Sequence, residues 1–274
     1  MGNKIYPTIK NSILLCLLFI GIQLVLGFLL GIFQVVFGHS NDSLVMGVLT
    51  ALASIISFGI VLLIGFLKTK RKFNEVFKFN RVSIFLWIAI IVFMAGFVIV
   101  TSELDNLLNY ILPMPEMFRG IFETLMAKQI FLIAIIIVGI IPAFTEELFF
   151  RGLILDGLKS NYSRKTAIIV SSLLFGIIHL NPWQFVGAFI IGLVSAWICI
   201  ETNSILLSIY MHFFNNVLYT TTVKYRELIP IKGFNSNYTT PVDFQPLWLD
   251  LSGLAVLIIG TIMLLKGIKK QNTN

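Results

Sequence analysis

Apolar residues fall in eight stretches along the chain, at 13–37, 44–67, 82–101, 130–157, 164–180, 184–200, 204–222 and 247–266, separated by short polar loops. Most are near the ~20 residues a helix needs to cross the hydrocarbon core, and strand-like alternation is absent from them. The pattern predicts an all-α polytopic membrane protein of about eight transmembrane helices. The fifth and sixth stretches are short and joined only by Asn181, Pro182 and Trp183, which suggests a deep hairpin that does not fully cross. Between the third and fourth, Met114, Met117, Phe118, Ile121, Phe122, Leu125 and Met126 follow helical spacing, with Glu116, Arg119, Glu123 and Lys128 opposite. That predicts one amphipathic helix lying in the membrane interface. Small residues four apart, Gly27 with Gly31 and Ala188 with Gly192 and Ala196, predict close helix contacts.

Composition agrees with this pattern. Of 274 residues 57% are hydrophobic and 12% charged, and the mean hydropathy is +0.93, far too apolar for a soluble fold. A net charge of +7 raises nucleic acid as a partner, but the basic residues cluster between apolar spans, where topology places them. The N-terminus, the 68–81 loop, the 158–165 loop and the C-terminal tail hold about 14 Lys and Arg, against about 5 in the alternate loops. Both termini are therefore expected in the cytoplasm, with K-T-K-R-K against anionic headgroups of the lipid bilayer. No nucleic-acid partner is expected. Cys16 and Cys199 both fall within apolar spans, so neither a disulfide framework nor a thiolate metal site is indicated.

Three clusters of polar residues interrupt the apolar stretches. The first is Pro142 to Arg151, P-A-F-T-E-E-L-F-F-R, at the end of a run where an ionisable group costs roughly 2.5–3.5 kcal/mol to insert. At ~100° per residue, Glu147 and Arg151 share one face and can pair, whereas Glu146 points elsewhere. Glu147 reads as the neutralised, structural carboxylate and Glu146 as the chemical one. Pro142 lacks a backbone donor and frees a carbonyl near Val138; the alternative is an ordinary helix ending there. The second and third clusters are Phe175-Gly-Ile-Ile-His179 and His212-Phe-Phe-Asn215-Asn216. Counted at ~1.5 Å per residue from the cytoplasmic ends of their segments, Glu146 and His179 lie roughly 20 Å deep, and His212 and Asn216 roughly 12 and 18 Å. Similar depths on three helices point to one site. A carboxylate and a histidine can jointly activate a water, and a second histidine and an amide can donate to a developing oxyanion. That is amide hydrolysis without a covalent nucleophile. Glu146, His179 and His212 would equally suit an open zinc site, and the residues alone leave the two uses open.

E-E-x-x-x-R, F-x-x-x-H and H-x-x-x-N, in this order on successive segments of residues 130–222, resemble the CPBP intramembrane proteases (CAAX protease and bacteriocin-processing, also called Abi). The Ras-converting CAAX prenyl endopeptidase belongs to the same family. The resemblance implies that Glu146 and His179 activate the water, that His212 and Asn216 form the oxyanion site, and that Glu147 and Arg151 support the first helix. Phe175 matches the family's aromatic position. The chain then divides into residues 1–129, with N-terminal spans, basic cytoplasmic loop and interfacial helix; 130–222, a catalytic helical core; and 223–274, with external loop, last span and basic tail. The implied activity is intramembrane endopeptidase cleavage of a membrane-associated peptide or protein: a prenylated CAAX-like tail, a pheromone or bacteriocin precursor, or a membrane-anchored regulator. The favoured reading requires no cofactor, with zinc as the metal-dependent alternative, and the expected setting is a bacterial cell membrane. The rival readings are a non-catalytic bacteriocin immunity protein and a proton-coupled transporter.

Overall fold

The computed structural model describes residues 4–37, 43–116, 131–225, 228, 231–234 and 242–273. Among these the chain is all-α, and the one β-type pairing is an isolated bridge between Phe79 and Ser204. Every apolar stretch forms a helix: α1 (Ile9–Phe37), α2 (Ser43–Thr69), a short α3 (Phe73–Val76), α4 (Ile84–Ile111), α5 (Phe131–Asn161), α6 (Arg164–Ile177), α7 (Pro182–Thr202), α8 (Leu206–Lys224) and α9 (Leu247–Thr273). The interfacial helix expected over Met114–Lys128 lies, from residue 117 onward, outside the described residues.

Six of these helices, rather than eight, are long and apolar enough to cross a membrane: α1, α2, α4, α5, α7 and α9. The two exceptions have different causes. α6 has 14 residues, about 21 Å of rise against ~30 Å of hydrocarbon, so the hairpin expectation holds for this arm and not for α7, whose 21 residues are enough to cross. α8 has 19 residues, but Ser208, His212, Asn215, Asn216 and three consecutive threonines dilute its apolar character.

Contacts within the chain group into two units. The first comprises Met1–Arg81 and Ile140–Ile209, the second Val82–Gly139 and Tyr210–Asn274. In the first, α6 and α7 pack as an antiparallel pair. Local chemistry sets both starts: the Ser163 hydroxyl accepts from the Thr166 N–H at 3.2 Å, and the Asn181 carboxamide accepts from the Gln184 N–H at 3.0 Å, with Pro182 at the first helical position. Those are the residues that satisfy orphan donors at helix starts. Gly192 allows the approach, since a Cβ there would lie 3.1 Å from the Ser172 Cβ and 3.3 Å from the Phe175 ring. The small-residue expectation therefore holds at Gly192 and at fully buried Ala196. It fails at Gly27 and Gly31, where a Cβ would meet nothing within 4 Å.

A chain of aromatic contacts ties the helices of this unit together. Phe19 on α1 meets Phe58 on α2 at 4.2 Å between ring centroids, Phe58 meets Phe149 at 5.8 Å, and Phe149 meets Phe150 at 5.0 Å. Phe150 then meets Phe175 on α6 edge-on at 5.2 Å. These rings fix α5 against α2 and α6, the placement on which the polar residues of α5 depend.

In the second unit α4 and α9 pack along most of their lengths. Gly253, Gly260 and Gly267 recur every seven residues on α9, which keeps one face toward α4. A Cβ on Gly260 would run into the Phe93 backbone, and one on Gly96 into the Leu257 backbone. α4 extends ten residues past its expected end because its polar last turns find partners. The Asn106 amide donates to the Glu103 carboxylate at 2.8 Å and to the Gly233 carbonyl at 2.7 Å, and the Gln245 N–H donates to Glu103 at 3.0 Å. Placing a side chain at Gly260 is expected to cost about 1–3 kcal/mol through overpacking. Gly260→Val should lower the melting temperature in detergent by several degrees, whereas Gly27→Ala should leave it unchanged or slightly raised.

Candidate active site

α5 passes through Pro142 without ending. The helix is π-wound at Ile135–Ile140 and again at Leu148–Ile154, with α-helical Ile141–Glu147 between them. Each wide turn inserts a residue and rotates the helix beyond it, a device concentrated at functional sites. In an α-helical ladder the Val138 carbonyl takes its hydrogen bond from residue 142, and proline has no N–H to give. The Asn216 side chain supplies the replacement, its Nδ2 donating to the Val138 oxygen at 2.9 Å. Asn216 is oriented at its other end too, its Oδ1 accepting from the Asn215 amide at 3.2 Å. An Asn216 amide has two hydrogens, so one is committed to backbone repair and the second is left for other work.

Glu147 and Arg151 are each buried to about 1% side-chain exposure, with Arg151 Nε 3.1 Å from Glu147 Oε2. The pairing is ionic by distance, the N–H direction lying outside hydrogen-bond geometry. Further groups complete the arrangement. The Ser195 hydroxyl donates to Glu147 Oε2 at 2.9 Å, and Arg151 Nη2 donates to the Gly192 carbonyl at 3.3 Å. The guanidinium also lies over the Phe175 ring, 4.5 Å from its centroid, where a weakly hydrated planar cation is stabilised by the π face. Removing one member of a buried pair strands the other's charge, which costs about 3–5 kcal/mol.

Phe175 carries this order on to His179. The two rings meet edge-on at 5.4 Å, and His179 Nδ1 lies 2.9 Å from the Phe175 carbonyl oxygen. A carbonyl only accepts, so Nδ1 carries the hydrogen, and in a neutral ring Nε2 presents a lone pair. His179 is half-buried in the turn that follows α6, just before Leu180 turns the chain with φ +54°. Glu146, beside buried Glu147 and itself half-buried, belongs with His179 to the first unit. This unit thus holds a carboxylate and an oriented imidazole, two kinds of group that can take a proton from water.

In the second unit, His212 is 6% exposed and lies one helical turn before Asn216 on α8. Gly139 of α5 faces α8, a Cβ there being 3.2 Å from Val217 and 3.5 Å from Phe213. Among the described residues no group of three His, Cys, Asp or Glu side chains is placed to hold a metal ion, so the zinc reading of Glu146, His179 and His212 rests on donor chemistry alone. Two contributors went unread in the sequence. Ser195 looks like any serine in an apolar span, its one signal being that it lies three residues, hence one face, from Gly192. The second role of Asn216, toward Val138, depends on a fold that brings α8 to a carbonyl freed 78 residues earlier.

Stability measurements check these roles. Arg151→Met should cost about 3–5 kcal/mol, and Ser195→Ala about 1–3 kcal/mol by removing a donor to a buried carboxylate; thermal melting in detergent reads both. Asn216→Ala should also destabilise, by about 1–3 kcal/mol, through the lost hydrogen bond to the Val138 carbonyl. Adding Pro142→Ala restores an N–H to that carbonyl, so the double variant is expected to melt above Asn216→Ala alone. A double variant that melts lower would contradict the repair role.

Comparison with curated proteins and with solved structures gives no match. A family model does match: the Rce1-like family, type II CAAX prenyl endopeptidase Rce1-like, over residues 128–218. This interval contains Glu146, Glu147, Arg151, Phe175, His179, His212 and Asn216, every residue of the three motifs. The match suggests CAAX-type intramembrane protease activity, and the long apolar helices indicate an integral membrane protein. Residues 128–218, about a third of the chain, are thus similar to the Rce1-like, type II CAAX prenyl endopeptidase family, the grouping to which the three motifs point.

Proposed function

We propose that the protein is an intramembrane endopeptidase that hydrolyses a peptide bond of a membrane-associated substrate through a water activated by Glu146 and His179. One observation carries most of the weight: Glu147 and Arg151 are committed to a buried network, and the same network orders His179 through Phe175. Glu146, the adjacent carboxylate, is held on a rigid element next to that network. In this mechanism the carboxylate takes the water's proton as hydroxide attacks the scissile carbonyl, and His179 Nε2 accepts a hydrogen bond from the same water. His212 and the remaining Asn216 N–H stabilise the oxyanion, and the proton held by Glu146 passes to the leaving amine. Protonation by one positioned group contributes about 10²–10⁴-fold, and a lost oxyanion donor costs about 10²–10³-fold. The substrate is a prenylated CAAX-like tail, a peptide-pheromone or bacteriocin precursor, or another membrane-anchored chain, cut in a bacterial cell membrane.

The test is processing of a library of membrane-anchored peptides, prenylated and not, by purified wild type, Glu146→Gln and His179→Ala, each with and without a zinc chelator. Wild type should cleave with chelator present, and each variant should lose at least about 100-fold in turnover. Cleavage abolished by chelation and restored by zinc would transfer these residues to a metal mechanism. Toxin protection or transport that persists in Glu146→Gln, with no cleavage by wild type, would favour an immunity protein or a transporter.

A further inference from the structure

At one end of the first unit, the residues just outside the apolar spans are strongly basic. Residues 1–11, 68–81, 156–165 and 200–205 hold eleven Lys and Arg against Glu75, Asp156 and Glu201. They are tied into one surface. The Ile5 N–H donates to Asn161 Oδ1 at 3.0 Å, and the Ile205 N–H donates to the Lys78 carbonyl at 2.9 Å. The Asn80 amide donates to the Asn203 carbonyl at 2.7 Å. Topology alone accounts for positive loops on one side of a membrane. It gives no reason for cations to converge on one point.

They do converge, on Asp156. This carboxylate is 3% exposed and has three cationic partners: Arg71 through Oδ2, Lys159 at 3.1 Å from Oδ1 and Lys78 at 4.0 Å from Oδ1. Each cation is about one-quarter to one-third exposed, and Arg71 is braced by donating to the Glu75 carbonyl at 2.8 Å. One carboxylate neutralises one of the three charges, and Glu75, 3.7 Å from Arg71 Nε, offsets part of a second. Two lysine ammoniums therefore share a single oxygen without enough counter-charge. Burial, and then the neighbouring Lys159 ammonium, hold Lys78 below the usual lysine range, with Asp156 pulling the other way. Like charges held this close at a partly dry site are stabilised by an added anion.

We propose that Arg71, Lys78 and Lys159 form a binding site for a phosphate anion, with Asp156 beside them offsetting only part of their charge. α2 ends at Thr69 and α5 at Asn161, so the cluster lies where apolar spans give way to polar chain, at the height of lipid headgroups. A lipid phosphodiester is the source in reach at that height, and a soluble phosphate carries the same chemistry.

The experiment uses the full-length protein, purified in phosphate-free detergent and loaded with phosphatidylglycerol or phosphatidylcholine, with retained lipid read by native mass spectrometry and melting temperature in parallel. Wild type should retain phosphatidylglycerol over phosphatidylcholine and melt higher with it. Lys78→Gln/Lys159→Gln should lower that retention by roughly fivefold for each lysine. Lys10→Gln/Lys165→Gln removes equal charge from exposed positions on the same surface and should retain lipid as wild type does. Asp156→Asn keeps all three cations and, if folded, should hold phosphatidylglycerol at least as tightly as wild type. Inorganic phosphate that raises the wild-type melting temperature and displaces the lipid would identify a soluble anion as the occupant of the same site. Equal losses in both double variants, no preference between lipids with no response to phosphate, or lost retention in folded Asp156→Asn would overturn the assignment.

Discussion

The buried ion pair of Glu147 and Arg151 is the constraint on which the rest of the first unit depends. An ionised carboxylate and a guanidinium inside an apolar helix need partners to be tolerable. The Ser195 hydroxyl, the Gly192 carbonyl and the Phe175 π face meet much of that demand together with the pair itself, with Arg151 Nη1 left without a hydrogen-bond acceptor among the described residues. These partners come from α6 and α7, so satisfying two charges on α5 fixes where two other helices must lie. The close approach at Gly192 is a condition of this, since a larger residue would hold α7 away from Phe175. His179 inherits its orientation from Phe175, through both ring and carbonyl. A structural requirement of one helix thus becomes a positional requirement on a candidate catalytic group of the next.

A second constraint acts through the backbone of α5. Pro142 has no N–H to offer the Val138 carbonyl, and the Asn216 amide donates to it from 78 residues later. Irregular backbone at membrane depth is expensive unless another group satisfies it. The π-wound turns on either side set the rotation of the Glu146–Glu147 segment, with Glu147 buried and Glu146 only half-buried. Adjacent carboxylates thereby receive different environments, the physical basis for giving them different roles.

Much of this was legible in the sequence, for identifiable reasons. Apolar runs must be helical in a bilayer, so every expected stretch is a helix. The i, i+4 relation of Glu147 and Arg151 depends on helix geometry alone, as does the carbonyl left free by Pro142. What depended on tertiary structure stayed hidden. The last turns of α4 look like loop because Glu103 and Asn106 find Gly233 and Gln245 more than 120 residues later. The seven-residue glycine spacing of α9 acquires meaning only against α4. Gly27 and Gly31 show the reverse error: small residues four apart permit close packing without requiring it. Asp156 drew no notice because its three cationic partners are gathered by folding.

The central claim is that Glu146 does chemistry while Glu147 holds structure. The most direct measurement takes turnover per folded molecule and melting temperature for Glu146→Gln and Glu147→Gln in parallel with wild type. The predicted result is a crossed pattern, with Glu146→Gln melting near wild type and losing turnover, and Glu147→Gln melting lower while its folded fraction still turns over. Wild-type turnover in Glu146→Gln, or a Glu147→Gln that is stable and inactive, would contradict it.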